Sequence, residues 1–232
     1  MKIPHLPQIP SQRANQFQAA RKRLVWRIKV GTLRVVKRTM DLAVVLPALV
    51  LLAPLFVLVA LCIRLYDGGP VLYWQQRVGW RGQEFAFPKF RSMGVDSDAA
   101  RADVAALNQH GAQGVTFKMK RDPRITPTGR VIRRFSIDEL PQLWCVLSGQ
   151  MTLVGPRPPM PSEVLQYSLR DRERLSVVPG LTCFWQVNGR SEIPFDQQVE
   201  MDIAYIHQRS VWTDIKVLCK TIPAVLFGRG AY

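Results

Sequence analysis

Residues 42–63 read Leu-Ala-Val-Val-Leu-Pro-Ala-Leu-Val-Leu-Leu-Ala-Pro-Leu-Phe-Val-Leu-Val-Ala-Leu-Cys-Ile, without one charged or strongly polar side chain. As a helix this run extends about 33 Å, enough to cross the hydrocarbon core of a bilayer. In a chain of 232 residues it leaves room for one further domain. A cleavable signal peptide is disfavoured, because the run is too long and about forty mostly basic and polar residues precede it.

The flanks constrain how the run sits. Upstream lie Arg21, Lys22, Arg23, Arg27, Lys29, Arg34, Lys37 and Arg38, and downstream Arg64, Arg77, Arg81, Lys89 and Arg91. Positive charge favours the cytoplasmic side of a membrane segment, and here both flanks are positive. Pro54, near the middle, removes a backbone donor and can kink the helix. Together they favour a re-entrant segment with both ends on the cytoplasmic face of the inner membrane, over a plain transmembrane anchor. Leu24, Ile28 and Val35 fall near helical spacing among the cations. That is either a basic amphipathic stretch lying on anionic lipid or an ordinary solvated helix face.

The net charge of +15 implies an anionic partner: nucleic acid, a lipid surface or a phosphorylated substrate. Cys62, Cys145, Cys183 and Cys219 are far apart, with no CxxC pair. Reduced, buried thiols are expected rather than a disulfide framework or a zinc site.

The first sixteen residues, with Pro4, Pro7 and Pro10, read as a flexible tail. Val71–Trp74 and Glu84–Phe90 read as two short strands joined through Gly79 and Gly82. Helices are expected at 97–109, 129–135, 138–148, 161–175 and Phe195–Gln208, with a basic, proline-punctuated loop from Lys118 to Pro127 and turns at Pro179-Gly180 and Asn188-Gly189. A C-terminal amphipathic helix would place Trp212, Ile215, Leu218, Cys219 and Ile222 on one lipid-touching face. The fold class is α+β, mostly helical. Its parts are a basic segment (1–36), a re-entrant membrane helix (37–66) and a cytoplasmic-face catalytic domain with a small hairpin (67–232).

Between 133 and 159 an adjacent acid pair, Asp138-Glu139, stands between Arg133-Arg134 and the proline-locked Arg157. Cations can hold a polyanionic substrate while carboxylates supply a nucleophile or a metal ligand. Ser136 through Glu139 also matches the S-x-x-E capping box, which would place both acids in a first helical turn with no catalysis at all. Nearby arginines and a helix N-terminus would keep Asp138 ionised. Arg130, Arg133 and Arg134 share a helix face at i, i+3, i+4. Gly155-Pro156-Arg157-Pro158-Pro159 fixes the backbone around one guanidinium, suited to bidentate grip on phosphate or simply to a rigid loop. Lys89-Phe90-Arg91 on a strand would put both cations on one face. No nucleotide-binding glycine fingerprint, HExxH or GxSxG occurs, and His5, His110 and His207 are scattered.

The chain resembles the bacterial sugar transferase family, the monotopic polyprenyl-phosphate phosphoglycosyl transferases. The motifs run in family order from Lys37 to Phe227. They include Lys37-Arg38…Asp41, Gly69-Pro70-Val71, Gln76-Arg77-Val78-Gly79, Lys89–Met93 and Asp122-Pro123-Arg124. Further on come Ser136–Trp144, Met151–Pro158, Pro179-Gly180, Trp185-Gln186-Val187, Gly189-Arg190 and Trp212–Lys216. Because little precedes the apolar run, the chain resembles the minimal form of the family.

The resemblance implies a two-step reaction. Asp138 would attack the β-phosphate of a UDP-sugar and release UMP. The polyprenyl phosphate acceptor would then take the phosphosugar from Asp138. Glu139 would hold Mg²⁺, and Arg133 and Arg157, with Lys89 and Arg91, would bind phosphate. Inner-membrane lipid is the implied partner, nucleic acid is not, and a homo-oligomer is compatible with the sequence. Three departures from the family pattern stand out: Cys145 for Asn, Cys183 for Gly, and Pro88 before Lys89, where a ladder would use the missing N–H. A membrane phosphohydrolase and a non-enzymatic basic module are the alternatives from other classes.

Overall fold

The computed structural model describes residues 12–97 and 122–227, with the side chains of 12–20, 22–30, 96, 191 and 227 excepted. Most of the tail, the helix expected at 97–109 beyond residue 97, the start of the basic loop and the side chains of Leu24 and Ile28 lie outside this set. Two units divide after Thr39. In the first, Val35 is 67% exposed.

Helix α1, Gln12–Asp67, runs 56 residues and passes through Pro47 and Pro54 without ending. Pro54 therefore removes a donor but does not end the helix, as in membrane helices whose surroundings compensate. Among the described residues α1 alone is long and apolar enough to cross a membrane.

From Asp41 onward α1 belongs to the second unit and packs along it. Val45 is fully buried in the main core with Phe85, Phe87, Val146, Leu153 and Tyr205, while Val59 and Ile63 join Phe90 and Ile132 in a second cluster. Polar contacts fix both ends of this stretch. Asp41, 2% exposed, accepts from Thr152 Oγ1 at 2.6 Å and from the Leu153 N–H at 3.1 Å. Asp67 pairs with Arg91. The opposite side of the helix stays open, with Val50 74% and Leu51 78% exposed.

Strands β1 (Leu72–Val78) and β2 (Glu84–Phe90) form an antiparallel hairpin, with Leu72 opposite Phe90 and Trp74 opposite Pro88. The Arg91 N–H bonds the Val71 carbonyl at 2.9 Å. Counting back in pairs along an antiparallel ladder puts Pro88 at a non-hydrogen-bonding position, so its missing N–H breaks no rung. Lys89 keeps its strand place.

Helix α2, Pro127–Arg134, is started by Thr126, whose side chain accepts from the Gly129 N–H at 2.9 Å, with proline at the first position. A Cβ at Gly129 would collide with the Ser92 carbonyl, so this helix sits hard against the end of β2.

A 3-10 turn, Ile137–Gln142, leads into α3, Leu143–Ser148. The single helix expected over 138–148 is thus divided between Gln142 and Leu143, with Pro141 inside the 3-10 turn. Strands β3 (Thr152–Val154) and β4 (Gly180–Thr182) pair in parallel. Between them only a short α4, Pro161–Val164, and a 3-10 turn, Asp171–Ser176, replace the helix expected at 161–175. Then follow α5 (Phe184–Asn188), α6 (Phe195–Gln208, as expected) and α7 (Val211–Phe227).

Helix α7 is anchored by Asp214, which accepts from the Tyr205 hydroxyl at 2.8 Å. One face turns inward through Asp214, Val217, Leu218 and Thr221. The exposed stripe is Trp212, Ile215, Cys219, Ile222 and Leu226. Leu218, expected on the outer face, packs against the core instead. The four cysteines are free, Cys145 and Cys183 buried, Cys62 and Cys219 exposed.

Candidate active site

Four segments converge on one cavity of about 520 Å³. β2 contributes Lys89, the end of α2 contributes Arg133, the 3-10 turn contributes Asp138 and Glu139, and the loop after β3 contributes Arg157.

The turn is not built as a capping box. Ser136 stands at φ 54°, ψ 23°, in the left-handed region, and its side chain makes no cap hydrogen bond. The Glu139 carboxylate, which a capping box would direct to the Ser136 N–H, is taken by cations instead. Arg157 Nη2 donates to Oε1 at 2.6 Å, Arg157 Nη1 to Oε2 at 3.3 Å, and Lys89 Nζ to Oε1 at 3.2 Å. A non-glycine residue in this region is uncommon and strained positions gather at functional sites. Arg190, at φ 52°, is a second such residue in the same wall.

The loop holding Arg157 is fixed on three sides. The Val78 N–H bonds the Pro159 carbonyl at 2.8 Å, the Gly180 N–H bonds the Pro156 carbonyl at 2.9 Å, and Arg77 donates to the Pro158 carbonyl at 3.1 Å. Pro156 and Pro158 are fully buried. Gly155 and Gly180 approach so closely that a Cβ on Gly180 would collide with the Gly155 backbone. Burial, then the neighbouring charge of Arg157, lowers Arg77 to about 10.

The two acids are shifted in opposite directions. Burial opposes ionisation of Glu139, but Arg157 and Lys89 outweigh it and hold the carboxyl well below the usual range. Asp138, 8% exposed, has no ion pair among the described residues. Burial pushes its carboxyl up to about 6, against the pull of Lys89 and with the added push of Glu139. The expected depression of Asp138 by arginines is therefore reversed in sign, although the group is still mainly ionised at neutral pH. Burial in turn lowers Lys89.

Of the residues singled out from sequence, Asp138, Glu139, Arg133, Arg157 and Lys89 line the cavity together. Arg91 does not. β2 ends at Phe90, and the Arg91 guanidinium turns away to Asp67 beneath Gly69, where a Cβ would strike it. Of the three arginines sharing a face of α2, only Arg133 reaches the cavity. Two further elements appear in the sequence reading only as motifs, with no role in the site assigned to them. Arg190 could have been suspected from its place after the Asn188-Gly189 turn. Asp122 and Arg124, paired at 2.6 Å, also stand in the wall. Asp202 and Arg174, paired at 2.7 Å, are buried.

The departures from the family pattern are packing features. Cys145 Sγ lies 3.6 Å from the Ala86 carbonyl and burial raises its thiol to about 11. Cys183 Sγ lies 3.1 Å from Gln186 Oε1, and its thiol too is pushed up by burial.

Comparison with known proteins gives a consistent picture. Residues 32–228 match the family described as bacterial sugar transferase. The galactosyl transferase CpsE of Streptococcus agalactiae is 48% identical over 166 residues, 71% of this chain and 36% of that protein. The exopolysaccharide production protein ExoY of Rhizobium meliloti is 37% identical over 198 residues, 84% of this chain and 88% of that protein. The undecaprenyl-phosphate galactose phosphotransferase of Salmonella typhimurium is 41% identical over 201 residues, 86% of this chain and 42% of that protein. The chain thus spans most of ExoY but under half of the other two.

Proposed function

The chain belongs to the bacterial sugar transferase family, and on that premise we propose that it moves a phosphosugar from a UDP-sugar to a polyprenyl phosphate. The observation that carries the reading is the contrast between the two adjacent acids. Glu139 is neutralised by Arg157 and Lys89, whereas Asp138 has no ion pair among the described residues in the same cation-lined cavity. A structural acid would be paired; an attacking one must be free and ionised.

Lys89, Arg133, Arg157 and Arg190 take the diphosphate oxygens of the donor. An Asp138 oxygen attacks the β-phosphorus, the bond from that phosphorus to the bridging oxygen breaks, and UMP leaves. A phosphosugar is then held on Asp138 as an acyl phosphate. A phosphate oxygen of the lipid acceptor attacks the same phosphorus, the bond to Asp138 breaks, and the carboxylate returns. Arg157, held by three backbone contacts to its loop, is pre-aimed for both transfers.

Glu139 fits Mg²⁺ only together with substrate. Its Oε2 has a single long contact, 3.3 Å from Arg157, and keeps acceptor capacity. Among the described residues no group of three His, Cys, Asp or Glu gathers to cage an ion. Mg²⁺ is commonly held by one or two carboxylates, with water and substrate phosphates completing its shell. When bound it would offset charge on the diphosphate.

The contacts of Asp41 and Asp67 support a topology with both ends on one face. Both ends of the apolar stretch are tied to one catalytic body, while Val50 and Leu51 point outward. A helix laid along the body in this way embeds in the near leaflet and leaves both ends on the cytoplasmic face, where the water-soluble donor is found. The product would initiate assembly of an extracellular polysaccharide. Incubating the protein with polyprenyl phosphate and a panel of UDP-sugars tests the reading; UMP release with at least one is expected, and none with any would overturn it.

A further inference from the structure

The cavity has two chemically different halves. One carries Lys89, Asp138, Glu139, Arg157 and Arg190; the other is walled by Leu153, Leu181, Leu218, Ala224 and Val225. We propose that the apolar half receives the phosphate-proximal isoprene units of the lipid acceptor, with α7 as the partition between that chain and the bilayer. The inference rests on the transferase reading above and says where its second substrate lies.

Three observations carry it. The first is that the apolar wall offers no free hydroxyl donor. Its two hydroxyls answer each other, Thr182 and Thr221 at 2.9 Å, and Thr221 also donates to the Val217 carbonyl at 2.8 Å. A nucleoside or a sugar placed here would bury hydroxyls without partners, whereas a hydrocarbon needs none. The second is continuity. The same cavity joins this wall to the phosphate-handling cations, so a molecule with an anionic head and an apolar chain fits both halves at once. The third is the double-sided character of α7. Leu218, Thr221, Ala224 and Val225 face the cavity, while Ile215, Cys219, Ile222 and Leu226 face outward. A helix apolar on both sides at the surface is suited to separate two apolar environments.

A polyprenyl phosphate carrying a diazirine in its first isoprene unit, added to the full-length protein in detergent micelles, tests this directly. Labelling is expected in Val211–Phe227, and it should be suppressed by unlabelled polyprenyl phosphate but not by UDP-sugar. Label confined to residues 42–63 of α1, or no competable label while UMP release proceeds normally, would overturn the inference. A second variant, Ala224→Trp, fills the wall. It should raise the acceptor KM by about tenfold for long-chain polyprenyl phosphate and abolish the preference for that lipid over a two-isoprene phosphate. An unchanged acceptor KM in a folded variant contradicts the proposal. Absence of both labelling and UMP release with every donor would instead withdraw the transferase reading, and this inference with it.

Discussion

Glu139 pairs with Arg157 at 2.6 Å and Lys89 at 3.2 Å, and its neighbour Asp138 has no direct partner among the described residues. In the proposed reaction one acid thereby pre-assembles the phosphate grip, and the other remains available to react. Each adjacent role depends on the other, because the charge on Glu139 also raises the Asp138 carboxyl.

Replacing Asp138 by Asn should remove turnover by at least about 10³-fold while leaving the protein folded and membrane-bound. Stability should rise rather than fall. A carboxyl whose folded value is raised to about 6 binds its proton more tightly in the folded state than in the unfolded one, so stability drops as pH climbs from about 4 to 6. Asparagine escapes that penalty, which is at most about 3 kcal/mol above pH 7. Thermal unfolding at pH 5 and pH 8 checks this: the variant's advantage should be larger at pH 8.

The rate of UMP release should fall on acidification through about 6, as Asp138 takes up a proton. Glu139→Gln removes a negative neighbour, so its residual activity should show that limb at lower pH. A limb moved upward would contradict the assignment.

Arg157→Ala and Arg91→Ala should separate. Loss of Arg157 should cost about 10²–10³-fold in kcat, because a pre-aimed donor to phosphate is gone. Loss of Arg91 leaves Asp67 with only the Gly69 N–H at 3.3 Å, so it should lower stability by about 1–3 kcal/mol with little change in donor KM. Urea unfolding and steady-state kinetics on both variants distinguish the two effects.

Topology has its own check. In a cysteine-free background, cysteines at Arg34 and Glu173 should both react with an impermeant thiol reagent from the cytoplasmic side. Reaction of Arg34→Cys only from the outside would establish a crossing.

Much of this organisation was legible in the residues. The hairpin, α6 and the acid–arginine cluster all follow from local pattern. The strand place of Lys89 survives Pro88 because ladder bonds alternate, a matter of register that composition does not carry. The Ser136–Glu139 pattern rightly placed both acids in a first turn but not the partner of Glu139, because Arg157, 18 positions away, decides that through the fold. Arg91 misled because β2 stops one residue earlier, freeing it to reach Asp67. The inner face of α7 was obscured for a different reason. Both of its faces are apolar, so periodicity could not say which one meets the core.

The proposed role of Glu139 toward Mg²⁺ makes a prediction of its own. Chelation with EDTA should stop UMP release and Mg²⁺ should restore it. Full activity after exhaustive chelation would remove the ion from the mechanism.

The covalent step is the centre of the account. A UDP-sugar labelled in the β-phosphate and sugar, mixed with the protein without lipid and quenched rapidly, should leave label on the peptide holding Asp138, with UMP formed in equal amount. Adding polyprenyl phosphate should then discharge it. Labelled lipid product formed at full rate with no label on the protein at any quench time would show direct transfer between the two substrates, and would contradict Asp138 as nucleophile.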